Sequence, residues 1–169
     1  MSTAESKLLI ICRHAKSSWQ DANLSDRDRP LNKRGERDAP EMGKRLAKRG
    51  IQPDLIITSP AVRARRTAEI YAQTLSYPLA NMQINPAQYA ASVPVLMDLL
   101  RQTSAACRSV LMVGHNPEST DLANLLGNLS LTNVPTSGIV ALEFAVASWL
   151  DLQPGGGSLL FFDYPKNIL

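Results

Sequence analysis

Cysteine is scarce in this chain of 169 residues: there are two, Cys12 and Cys107, far apart and in no CxxC pair. Histidine is equally scarce, with His14 and His115 separated by most of the chain. Those counts exclude a disulfide framework and a structural zinc site, each of which needs several such side chains at close spacing. Both cysteines read instead as small buried hydrophobes at strand positions, with no further role. No run approaches the ~18 apolar residues of a membrane span. The segment from Met1 to Lys7 is short and polar, without the apolar core of a signal peptide. Aromatic residues make up only 5% and do not interleave with the basic ones, which argues against a nucleic-acid surface. The expectation is a cytoplasmic protein with neither a membrane nor a nucleic acid as partner. A monomer is the expected state.

What is present suits a folded enzyme-sized unit. At 44% hydrophobic, the chain has enough apolar residues for one compact domain over residues 1–169. The net charge of +3 conceals an uneven spread. Between Arg13 and Arg66 lie 14 basic residues against 7 acidic ones, whereas the remainder carries 4 and 8. Such a local excess attracts an anionic ligand. Lys44, Arg45, Lys48 and Arg49 also fit a solvated helical stripe and need no ligand.

Periodicity gives the order of elements. Lys7 to Arg13 (KLLIICR), Asp54 to Thr58 (DLIIT) and Ser109 to Val113 (SVLMV) are short apolar runs, as expected of strands buried on both faces. Later strands fall at Gly138 to Val146 and Ser158 to Phe162, joined through a turn at Pro154–Gly157. Ser17 to Pro30 reads as a polar loop. A helix over Asn32 to Arg49 is closed by Gly50, and Pro40 means that it is either kinked there or begins later. Ser59 and Pro60 look like the cap and first position of a helix reaching Leu75. Pro94 to Arg101 and Asn116 to Leu126 are further helices. Tyr77 to Ser92 is the least legible stretch, with a short strand around Met82 to Ile84. Strands alternating with helices predict an α/β domain with a mostly parallel central sheet.

The three clearest strands end in chemically capable residues: Arg13-His14, Thr58-Ser59-Pro60 with Arg63 one turn on, and Gly114-His115-Asn116-Pro117. Open parallel sheets bind ligands outside the carboxyl ends of their strands. A neutral imidazole can attack phosphorus and carry the phosphoryl group covalently. The charge on the transferring oxygens needs fixed donors, and arginine supplies a permanent charge with two parallel hydrogen bonds. Helix N-termini near Pro60 and Pro117 would add backbone N–H groups. This chemistry requires no metal and no cofactor.

Arg13-His14-Ala15 resembles the RHG signature of the histidine phosphatase superfamily, whose members are phosphoglycerate-mutase-like. Ser59 to Ala64 with Thr67-Ala68-Glu69 is similar to its second arginine motif, Gly114-His115 to its second histidine, and Arg29-Pro30-Leu31 with Gly35 to its PLxxxG segment. RHAKSSW, DRPLNKRG, GHNP and PTSG resemble more narrowly the short SixA-type phosphohistidine phosphatases, over roughly residues 7 to 165. The resemblance implies a three-layer α/β/α sandwich. It implies His14 as nucleophile, with Arg13, Arg63 and His115 binding the phosphoryl group. It also points to Ser17 or Gln20 as a polar contact to phosphate.

Two departures matter. Ala15 stands where the family has glycine. The glutamate acid of larger members is missing, because Asp98 is the only carboxylate between Tyr71 and His115. Asp21, Asp26 and Asp28, in the loop after the nucleophile, are the substitutes to consider. A general acid helps an alkoxide leave by ~10²–10⁴-fold, whereas a phosphoramidate nitrogen depends on it less. The expected function is therefore a phosphohistidine phosphatase whose partner is a phosphorylated protein. The alternative is a phosphomonoesterase for a small molecule such as a nucleotide, sugar or cofactor precursor. A non-catalytic phosphate-binding module is a third reading, opposed by the presence of all four core residues.

Overall fold

A computed structural model describes residues 5–168; the first four residues of the polar N-terminal segment lie outside them. Six strands form one sheet: β1 (Lys7–Arg13), β2 (Leu55–Thr58), β3 (Gln83–Ile84), β4 (Ser109–Gly114), β5 (Ile139–Phe144) and β6 (Gly157–Asp163), in the order β3-β2-β4-β1-β5-β6. Neighbours are parallel from β3 through β1, while β5 runs antiparallel to both β1 and β6. Four helices flank the sheet: α1 (Lys33–Lys48), α2 (Val62–Thr74), α3 (Val93–Arg101) and α4 (Glu118–Gly127). The result is a three-layer α/β/α sandwich with a mostly parallel central sheet.

The apolar run of β1 is continuous because both of its faces are covered. Leu9 and Ile11 pack with residues of α3 and α4, whereas Ile10 and Cys12 pack with residues of α1 and α2. Burying one such side chain stabilises by about 1.5–3 kcal/mol, and a one-residue slip of a central strand would swap the two sets and spoil the packing of both faces. Asn32 caps α1 by accepting from the Gly35 N–H at 2.9 Å. The helix then runs through Pro40 to Lys48, so Pro40 marks neither a late start nor an end. Its buried face, Gly35, Ala39, Met42, Gly43 and Leu46, recurs at three- and four-residue spacing. Gly50 ends it with a φ of 77°.

Several boundaries differ from those read in the sequence. The helix after β2 starts at Val62, not Pro60, and Ser59 is not its cap: the Ser59 hydroxyl accepts from the Ala61 N–H at 3.2 Å, ahead of the first turn. Cys12 is a buried strand residue as expected, but Cys107 is half-buried and precedes β4. Arg45 is not a solvated residue of the basic stripe, since its guanidinium bonds Asp163 at 3.1 Å and three carbonyls of the C-terminal segment. Among the described residues no helix is long and apolar enough to cross a membrane.

Candidate active site

The register of β1 on β4 brings the two histidines together. Arg13 pairs with Gly114 at the last rung, and the His14 N–H extends the ladder by donating to the Gly114 carbonyl at 3.0 Å. The following residue on each strand is a histidine, and the two imidazole centroids lie 5.2 Å apart. On the other side of β4, Thr58 pairs with Val113, which brings Ser59 level with Gly114. The Ser59 hydroxyl is then 2.8 Å from His115 Nε2. Arg63, in the first turn of α2, reaches back so that its Nε is 3.4 Å from His14 Nε2. Arg13 is anchored by Nη1, which donates to the Val134 carbonyl at 3.0 Å.

Backbone contacts decide which His14 nitrogen is free. Nδ1 lies 2.7 Å from the Ala15 carbonyl oxygen. A carbonyl only accepts, so Nδ1 carries the proton and Nε2 keeps the lone pair, facing Arg63. Burial pushes the His14 imidazole down to about 3; the Ala15 hydrogen bond opposes this, and the charges of His115, Arg63 and Arg13 add to it. His115 is pushed down to about 4, by burial first and then by Arg63. Both rings are therefore neutral at pH 7, and His14 Nε2 keeps its lone pair without a separate base. The turn after His14 is clamped by Thr67, whose hydroxyl accepts from the Ala15 N–H at 2.9 Å and donates to the Arg63 carbonyl at 2.8 Å. Gly35 allows the start of α1 to press on this turn, because a Cβ there would run into the Lys16 carbonyl oxygen.

The loop after His14 sends one carboxylate into this group. Asp26 accepts from Arg63 Nη2 at 2.9 Å through Oδ2, and its carbonyl accepts from Arg63 Nη1 at 2.6 Å. Tyr89 donates to the same Oδ2 at 2.8 Å, and its ring meets His115 edge-on with centroids 5.8 Å apart. Arg29 donates to Oδ1 at 3.0 Å. The Tyr89 hydroxyl, with Arg63 and Arg29 behind it, holds Asp26 down at about 2 against the opposing effect of burial. Asp26 is thus ionised wherever the protein would work.

The profile of the histidine phosphatase superfamily (branch 1) matches residues 9–86. An uncharacterised chloroplastic protein of Arabidopsis thaliana is 34% identical over 170 residues, covering 94% of this chain and 78% of that protein. The chain belongs to the histidine phosphatase superfamily. Among solved structures, the putative phosphohistidine phosphatase SixA from Agrobacterium tumefaciens is 25% identical with a TM-score of 0.79, over 94% of this chain and 98% of that one. A putative SixA from Nakamurella multipartitia has a TM-score of 0.81 at 22% identity, over 98% of this chain and 100% of that one. The protein is a phosphatase with the phosphoglycerate-mutase-like fold.

Against the residues picked out for this superfamily, the structure gathers His14, Arg63 and His115, with Arg13 close enough for its charge to act on both imidazoles. Ser17 is buried, but its hydroxyl accepts from Arg29 Nη2 at 2.7 Å. Gln20 is exposed, and its side chain forms no hydrogen bond with any described residue. Asp21 holds a local turn through the Asn23 N–H at 2.9 Å, Asp28 is exposed, and Asp98 is exposed on α3. Ala15 is outside the left-handed region, so the missing glycine creates no strain; Ser137 holds a φ of 61° beside it, and its N–H donates to the His14 carbonyl at 3.1 Å. Sequence reasoning missed Tyr89, Ser59 as the partner of His115, and Thr67 as the clamp. Tyr89 falls in a stretch without periodicity, and nothing local marks it.

Proposed function

We propose that the protein is a phosphohistidine phosphatase that dephosphorylates a phosphoprotein through a covalent phosphohistidine at His14. In the first step the Nε2 lone pair forms a bond to phosphorus as the bond to the donor nitrogen breaks, and that nitrogen keeps the electron pair. Arg13, Arg63 and His115 bear on the equatorial oxygens, where charge is spread in the transition state. In the second step water attacks phosphorus, the electron pair returns to Nε2, and inorganic phosphate leaves.

The observation that carries this reading is the state of Asp26. It is the loop carboxylate tied into the site, and it is ionised and bonded to Arg63. It therefore holds no proton for the alkoxide of an ester, a loss of about 10²–10⁴-fold where such help is needed. An imidazole that already carries a proton on its second nitrogen leaves as a neutral molecule and needs none. The Asp26 side chain is half exposed, which suits a phosphoryl group presented on the surface of another protein.

The test is to incubate the purified protein with a phosphohistidine-bearing protein and with small phosphomonoesters. Higher kcat/KM on the phosphohistidine protein is expected. A strong preference for the esters would defeat the reading while leaving the phosphatase intact.

A further inference from the structure

Asp26 has a chemical consequence beyond the absence of an acid. Arg63 spans the distance between the nucleophile and this carboxylate: its Nε faces His14 Nε2 at 3.4 Å, and its Nη1 and Nη2 face Asp26. Asp26 thus lies at the end of the guanidinium away from His14; a group departing on that side from an in-line attack would meet it. Its side chain is 50% exposed, so one face stays open to an incoming molecule. Tyr89 fixes the carboxylate from the far side and rests on His115, which joins the loop to both imidazoles.

We propose that Asp26 is a specificity-determining residue that accepts a hydrogen bond from the second ring N–H of a phosphoimidazole donor and disfavours donors whose leaving atom becomes an anion. This deepens the phosphohistidine reading and rests on it. In the step concerned, the P–N bond breaks and its electron pair goes to the ring nitrogen bonded to phosphorus. The proton on the other ring nitrogen stays where it is, so the ring leaves as neutral imidazole. A carboxylate facing that N–H favours the protonated ring, which is the form able to leave without further help. With a phosphomonoester the same electron pair goes to oxygen, and the developing alkoxide or phenoxide faces a fixed negative charge. One side chain then raises the first rate and lowers the second.

The rival role is positioning, in which Asp26 only orients Arg63 and both substrates depend on it alike. The experiment compares wild type, Asp26→Asn and Asp26→Glu, as full-length proteins, on N-phosphoimidazole and on p-nitrophenyl phosphate. Asp26→Asn is expected to lower kcat/KM for phosphoimidazole and to raise it a few-fold for the ester, so that their ratio falls by tenfold or more. Asp26→Glu is expected to recover part of the ratio. A parallel fall on both substrates, or a ratio that stays within twofold, overturns the proposal. The parent reading is judged separately, by the wild-type preference alone; a shift in the ratio on Asp26→Asn would support the role of Asp26 even if that preference proved absent.

Discussion

The strand ends and the loop after the nucleophile meet at one site but are held in different ways. His14 and Arg63 are 7% and 6% exposed, fixed by the β1–β4 register and by Thr67. The loop from Ser17 to Pro30 is largely exposed, with Trp19 at 73%. It is tied down mainly by side chains: Arg29 bonds Asp26, Ser17 and the Ser18 carbonyl and lies 3.2 Å from the Trp19 ring centroid, while Arg63 and Tyr89 hold Asp26. These pairs join a buried guanidinium to a half-exposed carboxylate and are few, whereas misplacing a central strand would disrupt the packing of several core side chains at once. The attacking group and its guanidinium are therefore rigid, and the carboxylate that judges the leaving group is adjustable. Chemistry common to any phosphoryl donor resides in the first region and discrimination in the second.

The sharpest way to break that division is to remove the nucleophile. His14→Ala should abolish acid-labile phosphoryl labelling of the protein and lower turnover by at least about 10³-fold on every substrate, because no other group forms the intermediate. Retained labelling would place the nucleophile elsewhere. Arg63→Ala should cost about 10²–10³-fold in kcat, the usual loss when one fixed donor to transition-state charge is removed. The loss should appear on both phosphoimidazole and ester, and be the larger on phosphoimidazole, because Arg63 also holds Asp26 through two hydrogen bonds. An unchanged kcat on the ester would remove Arg63 from the contacts common to every donor.

The same division explains what could be read from the sequence. Apolar runs such as KLLIICR and SVLMV reveal buried parallel strands, and the residues that follow them must emerge at the ligand-binding edge, so His14, Arg63 and His115 were legible. The register that sets two histidines side by side depends on long-range pairing, which no local pattern encodes. Asp26 was one of three equivalent carboxylates until the loop folded back through Arg29. Tyr89 was invisible, because it reaches the site from an irregular segment without hydrophobic period. Ser59 misled for a physical reason: a serine before proline fits a helix cap, and only the level pairing of β2 with β4 turns it toward His115.

The rigid half can be sharpened by titration. The chain has only two histidines, so imidazole NMR signals report the site directly. With pKa values near 3 and 4 against about 6.5 unfolded, neither ring should titrate between pH 5.5 and 8 in the free protein. Depressed histidine values favour the folded state above pH 6.5, and that contribution is lost as the pH falls toward 4 and the unfolded chain takes up protons first. Added phosphate should raise at least one ring, since a bound dianion favours imidazolium. A ring titrating near 6.5 without ligand would mean that the site is wetter than its burial indicates.

The smallest effect tests the loop. Arg29→Ala removes the bonds to Asp26, Ser17 and the Ser18 carbonyl together with the stack on Trp19, yet touches neither imidazole. Melting temperature should fall by about 5–10 °C, as expected when a buried guanidinium contact worth about 2–3 kcal/mol is lost from a domain of this size. Asp26 keeps Arg63 and Tyr89 as partners, so it stays ionised but is less well fixed. Activity on p-nitrophenyl phosphate should then change by less than about threefold, while the preference for phosphoimidazole declines by about three- to tenfold, the cost of one charged contact worth roughly 1 kcal/mol. An equal loss on both substrates would show that the loop supports the nucleophile itself, and the separation between a rigid reacting half and an adjustable selecting half would no longer hold.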